Sequence, residues 1–487
     1  MSLVVANRVT AARMTPGLLH LCVGVGTYLF LFVVGDLLLQ DADTYWHISV
    51  GQWIIDHAAM PYVDVYSFTR SGSPWMSSSW LAQVLYAVAY AQAGWAGVAA
   101  LAALAVAAAL VIFLDLIEPC FKPVHRVLLA LLVLVVSAPH LLARPHVLAL
   151  PIMVAWVGGL IRAVDQRAEP SWMLLPLMIA WANLHGGFVL GLALIAPLAL
   201  EAVWQSAASD RVAVAKRWTL FAGAALLASC CTPYLHNTLM AALKILALGP
   251  VLSLVSEWRP ADFTSFGPFE AALLGLIAVA LLRGVVLSLP RIALLLLLTH
   301  MALSHVRCLE IFAFLVPLAL AAPMRHRAHA STADPETNGA SPLVSASTAS
   351  AIIAGALAVT LLYAANHTFA AVRTQAPVAA LEALRQHKSA RIFNDYQFGG
   401  YLIANDVPVF IDSRAELYGQ DFMMSYLKAA DGRSHEQIAA LLDQYQVDAT
   451  LLAPDRPAAQ LLDQMPGWKR LYADDVAVAH VRVMPAK

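Results

Sequence analysis

The chain has 487 residues, 60% of them hydrophobic and 13% charged, with a net charge of −1 and a mean hydropathy of +0.70. That composition lies outside the soluble globular range, and near-zero charge leaves no basic footprint for nucleic acid. The five cysteines (Cys22, Cys120, Cys230, Cys231 and Cys308) lie in or beside apolar runs, so neither a disulfide framework nor a CxxC metal site is readable.

Residues 17–39 form an apolar run too long for a signal peptide core, with no small-residue cleavage site. Arg8 and Arg13 precede it, which predicts an uncleaved first membrane helix with a cytoplasmic N-terminus. Residues 40–94 form a long first outer loop. Within it Trp46, Val50, Trp53 and Ile54 recur at helical spacing, which suits a helix lying at the membrane interface. Residues 78–92 read as a second juxtamembrane helix or as a further span. Apolar helices follow at 95–117, 127–142, 147–162, 173–183, 188–204, 219–231, 270–282, 288–302, 309–323 and 347–365. Several are shorter than the roughly 20 residues that cross a bilayer, so the spacing predicts about 11 spans.

The membrane domain is expected over 1–325. Residues 326–346, rich in Ala, Ser, Thr and Pro, read as a flexible cytoplasmic linker before the last span at 347–365. Residues 366–487 have the composition of a small soluble α/β domain. Strands are predicted at 389–396, 407–412, 447–453 and 475–483, with helices near 377–387, 420–430 and 435–445. The fold class is therefore a polytopic α-helical membrane protein with a C-terminal α/β domain on the outer face.

Sidedness follows from the basic residues. Arg8/Arg13, Lys122/Arg126, Arg162/Arg167, Arg211/Lys216/Arg217, Arg283/Arg291 and Arg325/Arg327 fall in alternate connections, which the positive-inside rule makes cytoplasmic. The other connections gather the unusual polar residues, and a chemical site on the outer face is the simplest account.

Asp41 and Asp43 leave the first span directly, and carboxylates at the mouth of a membrane helix are costly to place. Asp43 can act as a general base on a sugar or lipid hydroxyl attacking an activated carbon, or cap a helix starting at Thr44. His47, four residues on, shares its helical face and can orient the carboxylate or meet a substrate. Arg144, His185, His305 and Arg307 sit at outer helix ends, where cations and donors would meet a leaving phosphate; snorkelling to headgroups is the alternative for the arginines. His146, Asn183, Glu257 and Trp258 share those corners as candidate substrate contacts. In the tail, Asp412, Arg414, Glu416 and Tyr418 follow a predicted strand, where α/β units bind ligands; an internal charge network is the alternative. No HExxH or local His/Cys spacing specifies zinc. The sequence requires no cofactor, although Asp41, Asp43 and Glu257 would admit Mg²⁺ or Mn²⁺ if they converge.

An Asp-bearing first outer loop, many spans and a C-terminal outer domain resemble the GT-C glycosyltransferases. More closely, Asp43-x-x-Trp46-His47 with Gly51, Pro61-x-x-Asp64-x-x-Ser67, Trp80-Leu81, and Gly399-Gly400-Tyr401 with Asp412-x-Arg414-x-Glu416-x-Tyr418 are similar to a group of glycosyltransferase-like bacterial membrane proteins. The resemblance implies a polyprenyl-phosphate sugar donor, an inverting transfer to a glycan, lipid or protein acceptor, and a periplasmic-face site in the inner membrane. The chain departs from several GT-C families in having Asp-Ala-Asp for a paired Asp-Glu, and Ser78-Ser79-Trp80-Leu81 for a Lys-Pro-Pro-Leu segment. The rival classes are a transporter or flippase for lipid-linked glycans, a non-catalytic scaffold, and a glycan polymerase or ligase.

Overall fold

The computed structural model describes residues 17–246, 256–331, 344–372, 376–432 and 434–483. The first apolar run breaks at Val34 into α1 (Leu18–Val33) and α2 (Gly35–Leu38), followed by α3 (Asp43–His57). The next helix, α4 (Trp80–Ile117), joins the two expected helices at 78–92 and 95–117 across a break at Ala93 and Gly94. Gly94 has φ +57°, a conformation in which glycine escapes the Cβ penalty. Beyond the break α4 is the hub of the membrane part. Its Ala99, Ala102, Ala103 and Ala109 are buried, and small residues let helices approach closely; α1, α3 and the Pro145–Asp165 helix pack on it.

The remaining helices are α5 (Pro123–Ser137), α6 (Pro145–Asp165), α7 (Leu175–Leu184), α8 (Phe188–Ala193), α9 (Ile195–Gln205), α10 (Arg211–Ser229), α11 (Asn237–Leu246), α12 (Pro268–Arg283), α13 (Leu289–Ser304), α14 (Leu309–Ser331) and α15 (Ala346–Asn366). Among the described residues seven helical stretches are long and apolar enough to cross a membrane, and α1, α13 and the 172–184 stretch are shorter apolar helices. The first residues expected as linker, 326–331, continue α14, while 332–343 lie outside the described residues. Arg8 and Arg13 also lie outside them. On the face opposite the acidic corner, Arg291 is buried at the start of α13 between Glu201 (2.6 Å) and Asp165 (2.8 Å), tying α13 to α9 and α6.

The C-terminal unit comprises α16 (Val378–Gln386), β1 (Ile392–Asn394), α17 (Gly399–Ala404), α18 (Ala415–Asp431), α19 (His435–Gln444), β2 (Ala449–Leu452), α20 (Pro457–Gln464), β3 (Trp468–Ala473) and β4 (Val478–Arg482). The sheet order is β1-β2-β4-β3, with β1 parallel to β2 and the other pairs antiparallel. The predicted strand at 407–412 contributes instead isolated parallel bridges from Val409 to Ile392 and to Ser67 of the first loop. Alternation along the strands serves two cores. Phe393, Leu452 and Val478 face α18, α19 and α20, whereas Ile392, Leu451 and Ala479 face α16, α17 and α3.

That second core corrects one expectation. Trp46, Val50 and Ile54 of α3 are buried inside the protein, against Phe398, Leu402 and Ile403, rather than laid at a lipid interface. The helical spacing marks an apolar face without saying what covers it. Gly51 and Gly400 permit the approach: a Cβ on Gly51 would strike the Gln83 carbonyl, and one on Gly400 the Ala42 carbonyl.

Candidate active site

The acidic corner is set by local hydrogen bonds. Asp41 Oδ1 accepts the Asp43 backbone N–H at 2.7 Å, so Asp41 does the capping and α3 starts at Asp43 itself. Thr44 donates its hydroxyl to the Ala143 carbonyl (3.0 Å), and the Ala143 N–H reaches the Leu38 carbonyl (2.7 Å). These bonds place Arg144, immediately before Pro145 at the start of α6, beside both carboxylates. Arg144 pairs through Nε with Asp41, through Nη2 with Asp43 (2.9 Å) and through Nη1 with Glu257. Burial pushes the Asp41 carboxyl up, an effect that Arg144 opposes and the Asp43 charge reinforces. Burial works against the Arg144 charge, but the Asp43 and Asp41 carboxylates outweigh it and hold its pKa above the ordinary value. Asp41 is 5% exposed and Asp43 20%, so Asp43 is the carboxylate open to a substrate.

His47 is buried, with Nδ1 3.1 Å from the Gln83 amide nitrogen, which makes that ring nitrogen an acceptor. Gln83 is bonded in turn to the Ser77 hydroxyl; the Ser77 N–H donates to Tyr234 (3.3 Å), whose hydroxyl donates to the Pro61 carbonyl (2.9 Å). Burial, with the Arg144 charge and His146, holds the His47 pKa well below 6.5. His185 Nδ1 accepts the Gly187 N–H at 3.1 Å, leaving its proton on Nε2. Burial, the charge of Arg307 and the neighbouring His47 lower its pKa to about 3. The His146 and His185 rings lie 6.1 Å apart. Arg307 lies over the Trp258 ring at 4.4 Å, with His305 edge-on to the same ring at 5.4 Å. Among the described residues Arg307 forms no ion pair within 4.0 Å, unlike Arg144. Adjacent residues, Glu257 and Trp258, thus hold the two arginines of the site.

Other candidates have partners within the chain. Asn183 accepts from the Trp80 indole (2.7 Å) and donates to the Ile179 and Cys231 carbonyls, so its amide ties α7 to α4. Arg414 is buried between Asp412 (2.6 Å) and Asp64 (2.7 Å), with the Trp75 ring 4.7 Å from its guanidinium carbon. Tyr418 donates to Asp412 (2.9 Å), and the Trp75 indole donates to Glu416 (3.1 Å). These four residues latch the C-terminal unit to the loop after α3, which puts both on the same side as the acidic corner. Asp64 also accepts the Ser67 N–H (3.0 Å) and hydroxyl (2.6 Å), which accounts for the Asp64-x-x-Ser67 spacing. Asp41, Asp43 and Glu257 do converge, but on a guanidinium. Among the described residues no group of three or more His, Cys, Asp or Glu is arranged to hold a metal ion. Sequence reasoning passed over Gln83, His140 and Glu310; the signal for Glu310 is a carboxylate in the first turn of an apolar helix.

Solved structures of similar shape are distant in sequence. AglB, the oligosaccharyltransferase of Archaeoglobus fulgidus, solved with an inhibitory peptide and a dolichol-phosphate, matches with a TM-score of 0.51 and 11% identity over 88% of this chain and 69% of its own. An Archaeoglobus fulgidus oligosaccharyltransferase tethered to an acceptor peptide gives a TM-score of 0.51 and 11% identity over 88% of this chain and 68% of its own. The fold is that of the GT-C membrane glycosyltransferases. Apo ArnT from Cupriavidus metallidurans gives a TM-score of 0.46 and 13% identity over 94% and 97% of the two chains. No family model matches this chain, and no curated protein sequence matches it.

Proposed function

We propose that the chain is an integral membrane glycosyltransferase that moves a sugar from a polyprenyl-phosphate donor to a hydroxyl of a glycan, lipid or protein acceptor. The site lies at the periplasmic face of the bacterial inner membrane, and transfer inverts the anomeric centre. The observation carrying this reading is a partly exposed carboxylate, Asp43, on Arg144, with a second cation, Arg307, free of carboxylate partners among the described residues, the two arginines being held by the adjacent residues Glu257 and Trp258. The dolichol-phosphate bound to AglB is consistent with a lipid-phosphate donor.

In the reaction Asp43 takes the acceptor hydroxyl proton as that oxygen bonds to the anomeric carbon from the face opposite the phosphate. The carbon–oxygen bond to phosphate breaks, and its electron pair leaves on the phosphate oxygen. Arg307 meets that developing charge. Arg144 holds Asp41, Asp43 and Glu257 together and sets the direction of Asp43. The C-terminal unit, latched beside this corner, presents the acceptor. Transfer from a panel of radiolabelled polyprenyl-phosphate sugars, with Asp43→Asn as comparison, tests the reading: turnover is lost in the variant while expression and donor binding persist.

The saturation of Arg144 by three carboxylates favours a second reading, a scaffold that binds lipid-linked glycans without turnover. Binding without transfer in both proteins decides for it.

A further inference from the structure

Beneath the arginines lies a set of buried polar groups that the proposed reaction does not use. Glu310, in the first turn of α14 and three residues after Arg307, is 7% exposed, yet its Oε2 has no hydrogen-bond partner. His146 Nε2 stands 3.8 Å from it, too far for a hydrogen bond, and is already committed to the His140 carbonyl at 2.9 Å. That commitment places the His146 proton on Nε2 and leaves Nδ1 an acceptor. The Nε2 of His140 is likewise buried without a partner. His185, its ring 6.1 Å from that of His146, offers Nε2–H. Buried polar groups in native proteins are hydrogen-bonded, so open valences this concentrated point to a missing occupant.

We propose that Glu310, His146, His140 and His185 form a subsite that reads hydroxyl groups on the sugar of the donor. The chemistry selects the occupant. A phosphate ester only accepts hydrogen bonds, so it would leave the His146 Nδ1 acceptor unpaired. A sugar hydroxyl both donates and accepts, matching acceptors at Glu310 and His146 Nδ1 and a donor at His185 Nε2. Arg307 stands at the edge of the set, so a lipid phosphate held by it would hang its sugar toward Glu310. Removing a hydroxyl from the ligand would leave the site's own buried groups unpaired, which makes such a site discriminating. The identity of the ligand rests on the glycosyltransferase reading; the subsite itself does not require turnover.

The test uses the full-length protein in nanodiscs and measures binding separately from transfer. The probes are polyprenyl phosphate, polyprenyl-phosphate hexoses and their monodeoxy analogues, with Glu310→Gln and Glu310→Leu compared with wild type after size-exclusion and thermal-shift checks of folding. Wild type should bind a hexose-bearing donor at least about tenfold tighter than one particular deoxy analogue, in the range a lost buried hydrogen bond gives. Glu310→Leu should shrink that ratio below about threefold while leaving affinity for bare polyprenyl phosphate unchanged, and Glu310→Gln should fall between. An unchanged ratio in Glu310→Leu, or equal loss of affinity for every probe, overturns the subsite. Sugar-selective binding that depends on Glu310 without transfer in wild type would sink the enzyme reading and leave the subsite standing.

Discussion

Arg144 Nη2 lies 2.9 Å from Asp43, and the other two nitrogens of the same guanidinium are taken by Asp41 and Glu257. One side chain from the start of α6 therefore compensates three carboxylates from two other segments. Arg144→Ala leaves these charges facing one another, and breaking a partly buried network of this kind costs about 3 kcal/mol or more. Transfer is expected to fall at least about 100-fold, and guanidinium at sub-denaturing concentration should restore part of it. Arg144→Lys should not, since a single ammonium lacks the planar fork that meets three partners. Undiminished wild-type transfer in EDTA would agree with Arg144 as the resident cation; a strict need for Mg²⁺ or Mn²⁺ would refute it.

The latch between the first loop and the tail is the second point of test. Arg414 and Asp64 are both fully buried, and Asp412 completes the cluster. Arg414→Leu strands two carboxylates and should destabilise the docked tail by about 3–5 kcal/mol. Thermal unfolding in detergent and limited proteolysis read this directly, with new cleavage expected around the tail. A melting curve and digestion pattern like wild type would show that docking does not depend on this pair.

Acid should loosen the site. Burial keeps His47 neutral, its pKa well below 6.5, and His185 behaves alike with a value of about 3. Between the folded and unfolded values the unfolded chain binds more protons, so stability is full above about pH 6.5 and falls as the pH drops below it. Each histidine contributes a slope of about 1.4 kcal/mol per pH unit in that window. The unfolding temperature measured from pH 7.5 to 5 should decline, and His47→Gln should flatten the decline. An unaltered slope in that variant would mean that His47 is charged in the folded protein.

Period and composition made the helices legible because each follows from residues three and four apart. The 309–323 and 347–365 expectations fall on α14 and α15, and strand alternation located β1, β2 and β4. What the chain could not disclose is partnership at long range. Asp43 lies 101 positions before Arg144, and Arg414 meets Asp64 across 350. No local pattern distinguishes a tail arginine that binds ligand from one that fastens a domain. The same limit explains α3, whose apolar face reads equally well toward lipid or toward the tail. Glu310 was hidden differently, as one polar residue inside an otherwise apolar run.

Backbone contact between the tail and the acidic corner gives the sharpest structural prediction. Gly400 of α17 lies against the Ala42 carbonyl, one residue before Asp43, with no room for a Cβ. Gly400→Ala must therefore push α17 off the start of α3, at about 1–3 kcal/mol for overpacking, and displace Asp43 from Arg144. Gly223, on α10, has nothing within 4 Å of where its Cβ would stand, so Gly223→Ala serves as the matched control. Transfer should drop at least about tenfold in Gly400→Ala, since small misplacements of a catalytic group are costly. It should remain at the wild-type level in Gly223→Ala. If both variants transfer equally well, contact with the tail does not set the geometry of Asp43, and the C-terminal unit acts on the acceptor alone.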